Sequence, residues 1–437
     1  MLRRIILFFV AVVVAACTVA CGGRSGAGQS DNAAVTDDTA MSGAQGNGVT
    51  GNDAPGGDDV VAPTEIVRTT VEARTSYISD EMYANATKFA NVNLTRLSAV
   101  MRKAEAKEPV TVAVIGGSIT QGSSASRPEN SYAAIMRDWW EQTFPDTPVT
   151  YVNAGIGGTD SYLGVHRMNE DLLEYKPDFV IVEFSVNDED GNFYKATYEN
   201  VVRRILLQDN DPAVMLLYMT QDNGASAQPS HGFVGFYYEL PQLSYHDMIM
   251  NEVRSGAIAW GDISPDNIHP NDKGHAICGE LIWKYLNSVY AAGAAACETG
   301  WTVKETPLTT DAYINARILD NRTLQADSAD GFAAESVAWN EFANGWQTKN
   351  GGSITFTVTA KRIGILFYRS VSGTYGTADI AIDGVSVRSL DADFSGGWGN
   401  SVYAQQVFSE SETGSHTVTV TVPEGQCFDV IGILVAD

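Results

Sequence analysis

Residues Val110 to Thr120 read VTVAVIGGSIT. An apolar and mostly β-branched run, Val110 to Ile115, stops abruptly at Gly116-Gly117-Ser118. A continuous run of this kind suits a strand buried on both faces of a parallel sheet. The two glycines permit a tight turn that lifts a serine to the strand's carboxyl end. Outward from this stretch, similar runs predict strands at Val149 to Asn153, Phe179 to Phe184, Ala213 to Met219 and, shorter, Leu240 to Ser244. Helices are expected between them. Leu94, Leu97, Met101 and Ala104 recur at helical spacing, and Ser131 is placed to cap Tyr132 to Phe144. Further helices are predicted at Ser161 to Tyr175, ended by Pro177, at Tyr194 to Leu207, through Val253, and at Asp272 to Tyr290. On the last, Ile277, Leu281, Tyr285 and Val289 form one apolar row and Cys278, Ile282 and Leu286 the next, which assigns Cys278 to the core. Alternating strands and helices predict a three-layer αβα domain with a parallel five-stranded sheet, flavodoxin-like, in the order 2-1-3-4-5.

Beyond about Pro307 the period changes to two. Ile354, Phe356 and Val358 alternate with threonines, as do Val418, Val420 and Val422, and Asp383-Gly384 sits between short apolar runs as a hairpin signal. These features predict an antiparallel, jelly-roll-like β-sandwich. The expected organisation is a targeting segment over 1–21, an acidic tether over 22–64, the αβα domain over 65–292, a linker over 293–306 and the sandwich over 307–437.

The chain has 437 residues and a formal net charge of −25. So acidic a chain has little with which to neutralise phosphates, which excludes a nucleic-acid partner. Arg3 and Arg4 precede an apolar run to Ala16, shorter than the ~20 residues of a membrane span but suited to a signal peptide. The run ends in Val14-Ala15-Ala16-Cys17, with Thr18-Val19-Ala20-Cys21 behind it. Both resemble a bacterial lipobox. Lipidation is expected at Cys17, with Cys21 the alternative and plain secretion the other outcome. The expected location is therefore the outer face of a bacterial membrane, reached through a lipid anchor alone, or the medium. From Gly22 to Thr64 there are six Asp, one Arg and no aromatic residue, the composition of a flexible tether. Cys278, Cys297 and Cys427 make no disulfide framework, although a Cys278–Cys297 bridge is compatible with the spacing.

Ligands of parallel sheets sit at the carboxyl ends of strands, and three such ends here carry Gly, Ser or Asn clusters. Acyl transfer needs a nucleophile, a base, a group that orients the base, and oxyanion donors. Ser118 supplies the hydroxyl. Of six histidines, His269 has Asp266 three residues before it and Pro270 after it, so one turn holds base and orienter. His246 and His275 begin or follow helices and are assigned structural places. Gly158, with Gly155 and Gly157 as neighbouring alternatives, and Asn187 offer donors beside the N–H of Ser118. Trp260 and Arg167 are candidates for lining the pocket or for packing and ion pairing.

These blocks, IGGSIT, NAGIGGTDS, FSVNDED and DNIHPND, resemble those of the SGNH (GDSL-type) hydrolases in the family's own order, over about Val110 to Tyr290. The resemblance implies a serine esterase with Ser118, Asp266 and His269 as catalytic residues and an oxyanion hole from Ser118, Gly158 and Asn187. It implies no metal and no cofactor. Gly117 stands where the family often has Asp, and Ser185 where it often has Gly. The family's carbohydrate O-acetylesterases, together with the anchored two-domain layout, imply an acetylated polysaccharide as substrate. A lysophospholipase, a short-chain esterase or a thioesterase are alternatives within the class. A glycan-binding surface lipoprotein using Trp339, Trp346 or Trp398 is the alternative outside it. Other readings fail on particular residues. Gly117 to Gly122 has the spacing of a phosphate loop, but Ser123 replaces its lysine. Thr120 replaces the last glycine of an α/β-hydrolase elbow. The scattered histidines do not form a metal set.

Overall fold

The computed structural model describes residues 68–293, 301–337 and 340–437. The signal segment, Cys17, Cys21, the tether over 22–64, Cys297 and Trp339 lie outside the described residues.

Five parallel strands, β1 (Val110–Gly116), β2 (Val149–Gly155), β3 (Phe179–Glu183), β4 (Ala213–Tyr218) and β5 (Gln242–Ser244), pair in the order β2-β1-β3-β4-β5. This is the expected order. Gly116 lies opposite Gly155 on one side and Glu183 on the other, so three strands end at one level and their loops share one rim.

The helices are α1 (Asp80–Ala86), α2 (Thr95–Glu105), α3 (Ser118–Gln121), α4 (Tyr132–Thr143), α5 (Ser161–Asp171), α6 (Asn192–Leu206), α7 (Gln228–Tyr237), α8 (Tyr245–Ser255), α9 (Trp260–Ile263) and α10 (Asp272–Ala292). Successive strand residues enter opposite cores. Val112, Val114, Ile181 and Met215 pack under α2, α4, α8 and α10, whereas Ala113, Ile115, Val180, Val182 and Leu216 pack under α5, α6 and α7. Burial on both faces is why these strands read as unbroken apolar runs. Cys278 is fully buried in the first core, its sulfur 3.8 Å from that of Met219. Helix α7 was not expected from sequence, because Pro229, Gly232 and Gly235 disguise it. A side chain on Gly235 would lie 2.3 Å from Gln242, so glycine here lets the helix close on β5.

Nine strands form the second sheet system: β6 (Arg317–Leu319), β7 (Ser328–Asp330), β8 (Ala333–Ser336), β9 (Asn344–Thr348), β10 (Gly352–Arg369), β11 (Thr377–Ile382), β12 (Val385–Asp391), β13 (Ser401–Val422) and β14 (Phe428–Ala436). Its first strand begins at Arg317, after a strand-free stretch from 307. The alternating runs pair as their periodicity demands, with Phe356 opposite Val418 and Ile354 opposite Val420. Irregularities between Ala360 and Gly364 let β10 and β13 take part in two layers, one continued by β11 and the other by β14. Asp383 and Gly384 both have positive φ, 51° and 79°, as a two-residue hairpin turn requires.

Residues 304–316 are bonded along α6. Asn200 donates to Thr310 O, Arg203 to Lys304 O and Glu305 O, and Arg204 to Ala316 O, while the buried Glu199 carboxylate accepts from the N–H groups of Leu308 and Thr309. Leu366, Val402, Ile431 and Leu434 of the second system join the core under α5 and α6, which sets it on that side of the parallel sheet. Among the described residues no helix is long and apolar enough to cross a membrane.

Candidate active site

Ser118 opens α3 directly after β1 and is 9% exposed. The turn that presents it has no room for side chains. A Cβ on Gly116 would sit 2.2 Å from both Glu183 O and Thr120 Oγ1, and one on Gly117 would sit 2.2 Å from Asn187 Oδ1. The turn is braced from below. Arg167, buried and paired with Asp171 at 2.7 Å, donates to Gly116 O at 2.9 Å. Arg167 therefore supports the turn rather than lining a pocket. Thr120 Oγ1 shares a 2.7 Å hydrogen bond with Tyr132 OH and donates to Glu183 at 3.3 Å. Glu183, with no solvent exposure, also accepts from the Ser185 N–H and hydroxyl. Burial pushes its carboxyl up to about 7 against the pull of those hydrogen bonds. Glu183 escaped sequence reading because it ends an apolar strand and belongs to none of the motif blocks.

His269 Nε2 lies 2.9 Å from Ser118 Oγ, and His269 Nδ1 lies 2.8 Å from Asp266 Oδ2. A carboxylate only accepts, so Nδ1 carries the proton and Nε2 is left to accept from the serine. Asp266 Oδ1 also takes the N–H groups of Ile268 and His269, each at 2.7 Å. Partial burial alone would raise this carboxyl. The hydrogen bonds from the His269 N–H, the His269 ring and Ile268 outweigh that and hold it below its ordinary range. The turn itself is fastened: Trp260 Nε1 donates to Asp266 O at 2.6 Å, and the Ser264 hydroxyl lies 2.7 Å from both Asp266 O and His269 O, with one hydrogen to share between them. His275 is buried, joined to Tyr132 N and Ser123 O, and His246 joins Asp247 and Gly224 O. Both are structural.

Of the three glycines at the end of β2 and just beyond it, two have committed N–H groups. Gly155 N donates to Asn153 Oδ1 and Gly157 N to Gln121 Oε1. Gly158 alone of the three has positive φ, +71°. Asn187 N donates to Phe184 O, which curls its side chain back toward Gly117. Its Oδ1 is buried without a hydrogen-bond partner among the described residues. Ser185 ties the neighbouring strand ends together, accepting from Met219 N at 2.7 Å.

One element of the second sheet system reaches this rim. Trp398, 73% exposed, has its ring edge 3.5 Å from where a Cβ on Gly158 would stand. Its loop is held by a stack in which Trp398 packs edge-on against Phe394 and the Arg369 guanidinium lies between Phe394, at 3.9 Å, and Tyr403, at 5.0 Å. Trp346, a candidate platform from sequence, is instead 4% exposed and packs on Phe356, so it is core.

A parallel αβα sheet with hydroxyl, imidazole and carboxylate in series at its carboxyl edge is the equipment of an ester hydrolase. The GDSL-like lipase/acylhydrolase family matches over residues 114–277. The crystal structure of a two-domain esterase active on acetylated mannans is 36% identical and superposes with a TM-score of 0.77, covering 81% of this chain and 98% of that one. A structure of such an esterase co-crystallised with mannopentaose matches at the same identity, with a TM-score of 0.75. The acetylxylan esterase of Geobacillus stearothermophilus is 24% identical over 207 residues, 39% of this chain and 91% of that protein. Thioesterase 1/protease 1/lysophospholipase L1 of Escherichia coli strain K12 is 25% identical over 186 residues, 40% of this chain and 83% of that protein. The chain belongs to the GDSL-like lipase/acylhydrolase family and is a hydrolase of ester bonds.

Proposed function

We propose that the protein removes O-acetyl groups from a polysaccharide through an acyl-enzyme on Ser118. The observation that carries this is the series Ser118–His269–Asp266, at 2.9 and 2.8 Å, with the exposed Trp398 ring beside Gly158. Ser118 Oγ attacks the acetyl carbonyl as its proton passes to His269 Nε2. The oxyanion is held by the N–H groups of Ser118 and Gly158 and the carboxamide of Asn187. The sugar oxygen leaves with the proton from His269. Water then attacks the acyl carbon, gives a proton to His269, and acetate departs as Ser118 recovers its hydrogen. Asp266 fixes the imidazole's tautomer and stabilises the imidazolium. Trp398 supports a carbohydrate alcohol, because a flat exposed ring matches the apolar face of a sugar, and the likeness over both sheets to an esterase active on acetylated mannans supports the same class. The N-terminal run and Cys17 support a lipid anchor that holds the enzyme on the outer face of the membrane, with Cys21 as the alternative lipidation site.

The test is acetate release from acetylated mannan and xylan by the purified protein, beside aryl esters of increasing acyl length. Acetyl is expected to be preferred and Ser118→Ala to be inactive. Preference for long acyl chains would move the reading to lysophospholipids, and full activity of Ser118→Ala would sink the mechanism.

A further inference from the structure

A second Asp–His pair lies directly behind the oxyanion donors. Asp188 follows Asn187, and its carboxyl has no solvent exposure. Asp188 Oδ1 accepts the N–H of Ser161 at 2.8 Å. Ser161 is the first residue of α5, three residues beyond Gly158. Asp188 Oδ2 lies 3.0 Å from His231 Nε2, on α7. The His231 ring is also fully enclosed and lies flat on Tyr198 of α6, 3.6 Å between centroids and 3° from parallel. One carboxyl thus joins the loop after β3, the helix after β2, and α7.

Such a group is costly to bury, and apolar side chains would fill the same space with less penalty. Among the described residues its hydrogen-bond partners are the N–H and hydroxyl of Ser161 and one imidazole that burial keeps neutral, down to about 3, with no arginine or lysine in that set. Burial pushes the Asp188 carboxyl up, with Ser161 pulling the other way, and Asp160 and Glu183 lie in the same buried region. Whichever member holds the proton, one hydrogen bond joins Asp188 to His231. What the arrangement secures is position. Asn187 Oδ1 has no hydrogen-bond partner among the described residues, so the carboxamide is not aimed through its own oxygen. Its aim comes from its backbone, a turn in which the N–H groups of Asn187 and Asp188 both donate to Phe184 O, at 3.1 and 2.9 Å.

We propose that Asp188 and His231 are positioning residues for the oxyanion donors: the pair ties the Asn187 turn to the start of α5 beyond Gly158 and so fixes the two donors relative to each other. This rests on the oxyanion reading above.

A double-mutant cycle tests it. The readout is kcat per active site, each preparation titrated with a phosphonate that labels Ser118, together with KM on an aryl acetate. Asn187→Ala is expected to lose about 100-fold or more in kcat, the usual loss of one oxyanion donor. Asp188→Ala and His231→Phe are each expected to lose about tenfold or more, with KM unchanged within about twofold. In the Asn187→Ala background each should cost less than about threefold, because the group they aim is gone. His231→Phe keeps the ring on Tyr198 and carries the test alone if Asp188→Ala does not fold. Equal losses in both backgrounds, or full kcat per titrated site in either single variant, would overturn the proposal. Full activity of Asn187→Ala would instead overturn the oxyanion reading beneath it.

Discussion

Gly117→Ala separates catalysis from folding at one methyl group. The added Cβ would stand 2.2 Å from Asn187 Oδ1, 2.9 Å from its Cγ and 3.2 Å from Thr159 O. Gly117 has φ −90° and ψ −149°, so no left-handed backbone forbids alanine there. The contact to relieve is the far end of a side chain, and Asn187 relieves it by withdrawing its carboxamide about 1.2 Å, to an ordinary 3.4 Å contact. Folding therefore loses little. In the proposed mechanism the oxyanion then loses a donor, which costs about 100- to 1,000-fold in kcat, or about 2.7–4 kcal/mol of transition-state stabilisation. Misplacement of a catalytic group by about 1 Å is enough for about 100-fold. The assay pairs kcat on an aryl acetate, per titrated active site, with the thermal midpoint. The expected result is a collapse in kcat with a midpoint near that of the parent, and little further loss when Gly117→Ala is added to Asn187→Ala. Parental kcat in Gly117→Ala would refute the reasoning, because no donor at Asn187 could survive that contact. Gly117→Asp meets the same Asn187 oxygen and is expected to be no better.

Three other perturbations read other parts of the site. Asp266→Asn keeps an oxygen for the backbone N–H groups of Ile268 and His269 but takes away the carboxylate that selects the His269 tautomer, so kcat on aryl acetate should fall about 100- to 10,000-fold while circular dichroism stays parental. Glu183 is held at about 7 against an ordinary 4.5, so the folded state keeps the proton more tightly than the unfolded chain. That stabilisation is complete below 4.5 and is lost as pH rises through 7, amounting to about 3 kcal/mol, so Glu183→Gln should flatten the fall of the thermal midpoint between pH 5 and 8. His166 and His231, both held at about 3 by burial, act with the opposite sign: their stabilisation is present above 6.5 and is lost as pH falls toward 3. An unchanged alkaline limb in Glu183→Gln would assign that limb to Asp160 and Asp188 instead. Trp398→Ala should raise KM on acetylated mannan about three- to tenfold and leave aryl acetate turnover alone; equal effects on both substrates would deny the ring a role in holding sugar.

The parallel sheet was legible because both faces of its strands are buried, which writes each strand as an apolar run, and because the chemistry clusters at strand ends. The hairpin at Asp383-Gly384 was legible for a local reason, two residues that tolerate positive φ. What stayed hidden depends on partners far along the chain. Glu199, Asn200, Arg203 and Arg204 are polar or charged residues of the predicted helix Tyr194 to Leu207, a composition that suits a surface. They are buried, because residues 304–316 bring backbone groups that need partners and find them there. Asp188 and His231 stand 43 residues apart with no local pattern linking them, and the fold brings them within 3.0 Å. Trp398 sits in a glycine-rich loop, SGGWGN, with no local pattern to tie it to Ser118.

Gly117 shows how such distant dependence changes the meaning of a motif. In the sequence, glycine at this position reads only as room for a tight turn. In the fold it is half of a pair, since the space a side chain would take holds the Asn187 carboxamide. Gly117, before the proposed nucleophile, and Asn187, the proposed oxyanion donor, are therefore one steric unit. A change at 117 acts through 187, and the energetic coupling between them, rather than either substitution alone, measures how the turn is built.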